Sequence, residues 1–181
     1  FNFYFDMKTG RDTSSLLFDV AHHIKSYQPD IIVLQVGIVD CYSRALTKFE
    51  SQVLPRIPIL NKLSKWFVNK FYSSIVRARN ISYVSEDDFK VNLIKLKENF
   101  GKAIWIVVPI APVNSFYANK NPLISNRVKR YNDILLQEFD DSLLKSCYDF
   151  ADINRLFLED NHHLSKYGHN YLCDVICQKI L

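Results

Sequence analysis

The sequence predicts an α/β protein in which a parallel sheet is sandwiched between helices. Two near-continuous apolar runs of strand length, "DIIVLQVG" at Asp30–Gly37 and "KAIWIVVPI" at Lys102–Ile110, read as strands covered on both faces. Segments with helical periodicity separate the candidate strands, and that alternation builds parallel sheets. The composition suits one folded domain: 181 residues, 48% hydrophobic and 23% charged.

Each element has its own signal. "FNFYF" at Phe1–Phe5 alternates aromatic and polar residues ahead of a loop with Gly10, and reads as a strand. A helix follows, capped by Asp12 or Thr13, with Leu16, Leu17, Val20, Ala21 and Ile24 at helical spacing and Pro29 beyond its end. After the strand at Asp30–Gly37, the stretch 42–84 stands outside the alternation as a helical insertion. Within it, the segment Ile59–Arg79 places Leu60, Leu63, Phe67, Phe71 and Ile75 on one helical face, and that segment's only charges are Lys62, Lys65, Lys70, Arg77 and Arg79. The expectation is a helix packing that face on the sandwich. The sharper alternative is a lid or partner surface that contacts anionic lipid or polysaccharide.

A helix over about Ser85–Phe100 opens with "SEDD", whose acidic first turn suits the helix dipole. After the strand at Lys102–Ile110 come a long helix over about Ile124–Phe139, a short strand near Cys147–Asp152, and a last helix from about Ser165 to Ile180.

The same residues exclude several classes of function. A net charge of +4 is too small to argue for nucleic acid. The four cysteines (Cys41, Cys147, Cys173 and Cys177) form no CxxC pair, so reduced thiols are expected. No apolar run is long enough to span a membrane and no signal peptide is visible, which favours a cytoplasmic protein. His162, His163 and His169 do not bring three nitrogens to one side, so no metal is expected.

Ligands of such sheets bind at the carboxyl ends of the strands. There the sequence offers Gly10 before a helix start, then "VGIVDCYSR" with Gly37, Asp40, Cys41, Ser43 and Arg44, and then "PIAPVNS". Last comes "EDNHHLS", in which Asp160 and His163 lie three apart at a helix start, a spacing that lets a carboxylate orient an imidazole. Cys41 and Ser43 read as structural residues rather than nucleophiles, and His22 and His23 as surface positions.

These blocks resemble the SGNH (GDSL-like) hydrolases. "DNHHLS" followed by "YGH" matches the family's last block, "GIVD" at Gly37–Asp40 matches its third, and "GRDTSSLL" from Gly10 matches its second. The resemblance implies a three-layer α/β/α sandwich of flavodoxin-like type and a serine esterase with no cofactor. Its substrate would be a small-molecule or carbohydrate ester, with O-acetyl groups of carbohydrate as the leading candidate; an O-acyltransferase running the same acyl-enzyme chemistry is the neighbouring alternative. His163 would be the base, Asp160 its orienting carboxylate, and Gly10 an oxyanion-hole donor.

There are two departures. The family's first block, which carries the serine on the first strand, has no counterpart, so Phe1–Phe5 corresponds to the second strand. Either the chain is an N-terminally truncated form of a longer protein, or another segment fills that place. Val39 stands where the third block has an oxyanion-binding asparagine, which leaves Asp40 and Arg44 as candidate substrate-binding groups. Together the departures define a rival reading: a non-catalytic domain that binds glycan or a protein partner.

Overall fold

The computed structural model describes residues 2, 4–161 and 163–180, with the side chain of residue 60 outside that set. The elements run α1 (Thr13–His22), β1 (Ile31–Gln35), α2 (Ile38–Cys41), α3 (Lys48–Val53), α4 (Pro58–Arg79), α5 (Glu86–Asn99), β2 (Ile104–Val108), α6 (Ser115–Lys120), α7 (Ile124–Phe139), α8 (Ile153–Leu156) and α9 (Lys166–Ile180). Polar residues set the helix starts. Asp12 accepts from Ser15 N at α1, Ser85 from Asp88 N at α5, and Thr47 forms a reciprocal capping box with Glu50 at α3.

β1 and β2 pair in parallel, with Ile31 opposite Ile104 and Gln35 opposite Val108. On one face, Leu16 and Val20 of α1, Phe89 and Leu93 of α5, and Leu135 and Phe139 of α7 join Leu34 and Val107 in the larger core. On the other face, Leu172 of α9 packs with Ile106, Val108, Leu144 and Cys147. Helices therefore cover both faces of β2. Over β1 the second layer is open, because Ile31, Val33 and Gln35 alternate onto a face that solvent reaches. The protein is thus α/β with a small parallel sheet, and the expected sandwich is layered on β2 alone.

Among the described residues, two expected strands do not form. Residues 1 and 3 of the first lie outside the described set, and residues 2 and 4–8 adopt no regular structure. Among the described residues β1 pairs only with β2, so that stretch finds no adjacent ladder to join. The strand near Cys147–Asp152 is replaced by turns, in which Cys147 N donates to Leu144 O and Asp149 N to Ser146 O. Contact with the sheet occurs earlier, where Leu143 bridges Val107 in parallel and Leu144 N donates to Val107 O at 2.9 Å. Lys145, Ser146 and Asp149 interrupt the apolar run, and such residues favour turns over a ladder.

The insertion also differs from expectation. Leu63, Phe67 and Phe71 are exposed; Ile75 turns inward as expected, but with Val68, Tyr72 and Val76 in place of the rest of that face. The side chain of Leu60 lies outside the described residues. A break at Phe71 (φ −116°, ψ 19°) divides the helix. Its last turn is fixed by Arg79, which donates to both carboxylate oxygens of Glu50 at 2.8 Å and to Ala45 O.

Two outcomes follow from this packing. A Cβ at Gly168 would stand 2.4 Å from Leu156 O, so α9 approaches the end of α8 only because that residue is glycine. Gly168→Ala should lower the urea-unfolding free energy by ~1–3 kcal/mol. Arg79, together with the Thr47 amide, holds the Glu50 carboxyl down at about 2, below its ordinary 4.5. A depressed carboxyl stabilises above its unfolded pKa, and that contribution is lost as pH falls through the folded one. Wild type should therefore exceed Glu50→Gln by ~0.2–1 kcal/mol at pH 7, a small margin because the pair is partly solvated. The difference should vanish between pH 4.5 and 2.

Candidate active site

The segment from Leu156 to Ser165 doubles back on itself. Phe157 bridges Leu164 in antiparallel fashion, Leu158 N donates to His163 O at 2.8 Å, and Ser165 N donates to Leu156 O at 2.9 Å. The reversal uses a left-handed residue, Asn161 (φ 64°), a conformation that asparagine tolerates well. This turn brings Asp160 and His163 together. Asp160 accepts twice from His163: its Oδ1 from the backbone N at 3.0 Å, and its Oδ2 from ring Nδ1 at 2.6 Å. With Nδ1–H given to the carboxylate, the neutral imidazole carries its lone pair on Nε2. The pair lies at the surface, with 59% of the His163 side chain accessible to water.

The loop after β2 anchors this turn. Asn114 caps α6 through its Oδ1, and its Nδ2 donates to Asn161 Oδ1. Upstream, Asn132 of α7 clasps Ile110, accepting from its N at 2.8 Å and donating to its O at 3.0 Å. Gly37, just after β1, lies against Ile110 with φ +107°; a Cβ there would come within 2.6 Å of the Ile110 side chain. The turn that carries the dyad is thus tied, through Asn161 and Asn114, to the loop that follows β2.

Gly10 and Asp40 flank the start of α1, and Arg44 lies beyond α2. Gly10 adopts φ +70° in the turn before Asp12. Asp40 is wholly buried, and its Oδ1 accepts from Thr13 N at 2.9 Å and Thr13 Oγ1 at 2.6 Å. Burial raises its carboxyl above the ordinary aspartate value, with the Thr13 hydrogen bonds opposing. In this arrangement Asp40 positions α1 and presents nothing to a ligand. Arg44 is sandwiched between the Tyr42 and Tyr83 rings, 4.5 and 4.6 Å from their centroids.

Cys41 and Ser43 are fully buried, and burial pushes the Cys41 thiol up to about 12, the opposite of an activated nucleophile. His169 is exposed on α9, and His162 lies outside the described residues.

Sequence reasoning missed the residues that hold these loops in place: Asn92, Asn114, Asn132 and Arg127. Asn92 of α5 donates to Thr13 Oγ1 and Ser14 Oγ, and buried Arg127 donates to Asn80 O and Ile81 O. Apart from the Asn114 cap on α6, their partners lie 22 to 86 residues away, so no local spacing reveals them.

No family model and no curated protein matches the chain. Among solved structures it is similar to the lipase/acylhydrolase from Enterococcus faecalis, with a TM-score of 0.64 over 94% of this chain and 71% of that one, at 14% identity. The likeness shows an acylhydrolase-like fold.

Removing the Asp40 carboxylate strands the Thr13 amide and hydroxyl in the core, so Asp40→Ala should cost ~1–3 kcal/mol in urea unfolding. Asp40→Asn keeps an acceptor and should cost less.

Proposed function

We propose that the chain hydrolyses carboxylic esters, with His163 as general base and acid and Asp160 as its orienting carboxylate. The observation that carries this reading is the Asp160–His163 pair, joined through Nδ1 on a turn tied to the loop after β2. The acylhydrolase-like fold supports it.

In the reaction, a serine hydroxyl attacks the ester carbonyl while His163 Nε2 takes its proton. The imidazolium then protonates the departing alcohol, leaving an acyl-enzyme. Water, deprotonated by the same nitrogen, releases the acid. Asp160 fixes the tautomer and stabilises the imidazolium throughout. The Gly10 N–H is assigned to the oxyanion, a role typically worth ~2.7–4 kcal/mol per donor.

The serine is assigned to a strand that adds to the outer edge of β1. That edge has no strand partner among the described residues. O-acyl groups on carbohydrate are the proposed substrates, on the strength of the motif resemblance alone. Val39 favours a second reading, a non-catalytic binding domain, because valine cannot donate to an oxyanion.

Hydrolysis of p-nitrophenyl acetate and of an O-acetylated sugar should be assayed with the product of the complete coding sequence. His163→Ala should reduce kcat on the order of 10³-fold or more, and Asp160→Asn should act in the same direction. Turnover indifferent to His163→Ala would sink the assignment. Absence of turnover in the unsubstituted protein, with a folded circular-dichroism spectrum, would leave the binding reading standing.

A further inference from the structure

We propose that the outer half of α4 docks on an anionic lipid bilayer, a property independent of the Asp160–His163 chemistry. The break at Phe71 separates two functions within one helix. Beyond it, Tyr72 donates to Ser43 O at 2.9 Å, Val76 is wholly buried and Arg79 grips Glu50, so this half is fastened to the body. Before it, Ile59, Leu63 and Trp66 are spaced four and three apart and form a single stripe. They are 79%, 59% and 55% exposed. The Phe67 and Phe71 rings, 5.0 Å apart, flank the stripe. Lys62, Lys65 and Lys70 border it, and Lys70 Nζ lies 5.0 Å from the Trp66 ring centroid.

Charge identifies the occupant. Arg56, Lys62, Lys65, Lys70, Arg77 and Arg79 lie between Glu50 and Glu86 with no acidic residue among them. The remaining chain carries 17 basic against 19 acidic side chains, a net −2. All the positive excess thus sits on the insertion that also bears the apolar stripe. A second copy pairing through this face would oppose like charges. A glycan would need hydrogen-bonding groups that Ile59, Leu63 and Phe67 do not have. Beneath the helix, Ala45, Leu46, Phe67, Val68, Ile75 and Ala78 line an apolar hollow of about 390 Å³, which suits a hydrocarbon chain.

Among the described residues no helix is long and apolar enough to cross a membrane. The matching mode is therefore interfacial: aromatic and aliphatic side chains enter the acyl boundary while lysines reach lipid phosphates.

The test is co-sedimentation of the whole chain with phosphatidylcholine vesicles, with and without 30% phosphatidylglycerol, alongside Trp66 quenching by brominated acyl chains. Binding should require the anionic lipid, and quenching should disappear in Trp66→Phe. Each lysine near such a surface contributes ~1 kcal/mol, about fivefold, so neutralising Lys62, Lys65 and Lys70 to Gln should weaken binding on the order of 100-fold. Leu63→Asn should weaken it with all charges intact. Four results would each overturn the proposal: no sedimentation, equal binding to neutral vesicles, binding that leaves Trp66 unquenched, or an anionic polysaccharide or second copy that occupies this face in place of lipid. Quenching in the unsubstituted protein decides the matter if a variant fails to fold.

Discussion

A buried carboxylate ties the segment after β1 to the start of α1. Two paired strands of five residues each provide few ladder hydrogen bonds, so the positions of α1, α2 and α5 rest on side chains. Asp40 supplies the central acceptor. It binds the first amide and hydroxyl of α1, and Asn92 of α5 reaches the same threonine. Next to it, Asp12 caps α1 and accepts from Lys48 of α3, which ties the insertion into the same network. Burying an acid at this point is costly for its charged form, consistent with its raised pKa, and the Thr13 donors offset part of that cost. The loops are thereby fixed by a few directional bonds instead of by an extended sheet.

The dyad is held by different means. Asp160 and His163 are three residues apart, and the same carboxylate that orients the ring also closes the backbone turn. Geometry and tautomer are therefore set locally, while Asn114 and Gly168 fix where the turn sits on the body. A short-range motif of this kind keeps its internal shape even when its surroundings shift.

That distinction explains what could be read from the sequence. The strands β1 and β2, the helices α1, α5, α7 and α9, and the Asp160–His163 spacing are all encoded by neighbours in sequence, through periodicity, caps and a three-residue turn, whereas the open face of β1 is not. The expected strands at Phe1–Phe5 and Cys147–Asp152 depend on a partner across the sheet, which no local pattern records. Asp40 looked like a ligand group because it follows a strand; its burial depends on Thr13, 27 residues away. On α4 the apolar face was visible, but not whether anything covers it. An amphipathic pattern reports two faces without saying which one meets the protein.

The insertion also has a consequence for assembly. Pairing Ile31 with Ile104 joins residues 73 positions apart. Without residues 42–84 the same closure would span about 30. On logarithmic loop entropy that enlargement costs only about 0.8 kcal/mol. The cost falls chiefly on time, since parallel pairing must wait for a long chain to close on itself, and such contacts form slowly. A whole helical appendage has thus been accommodated with little effect on equilibrium stability, at the expense of a folding route in which the sheet, the smallest part of the molecule, comes together late.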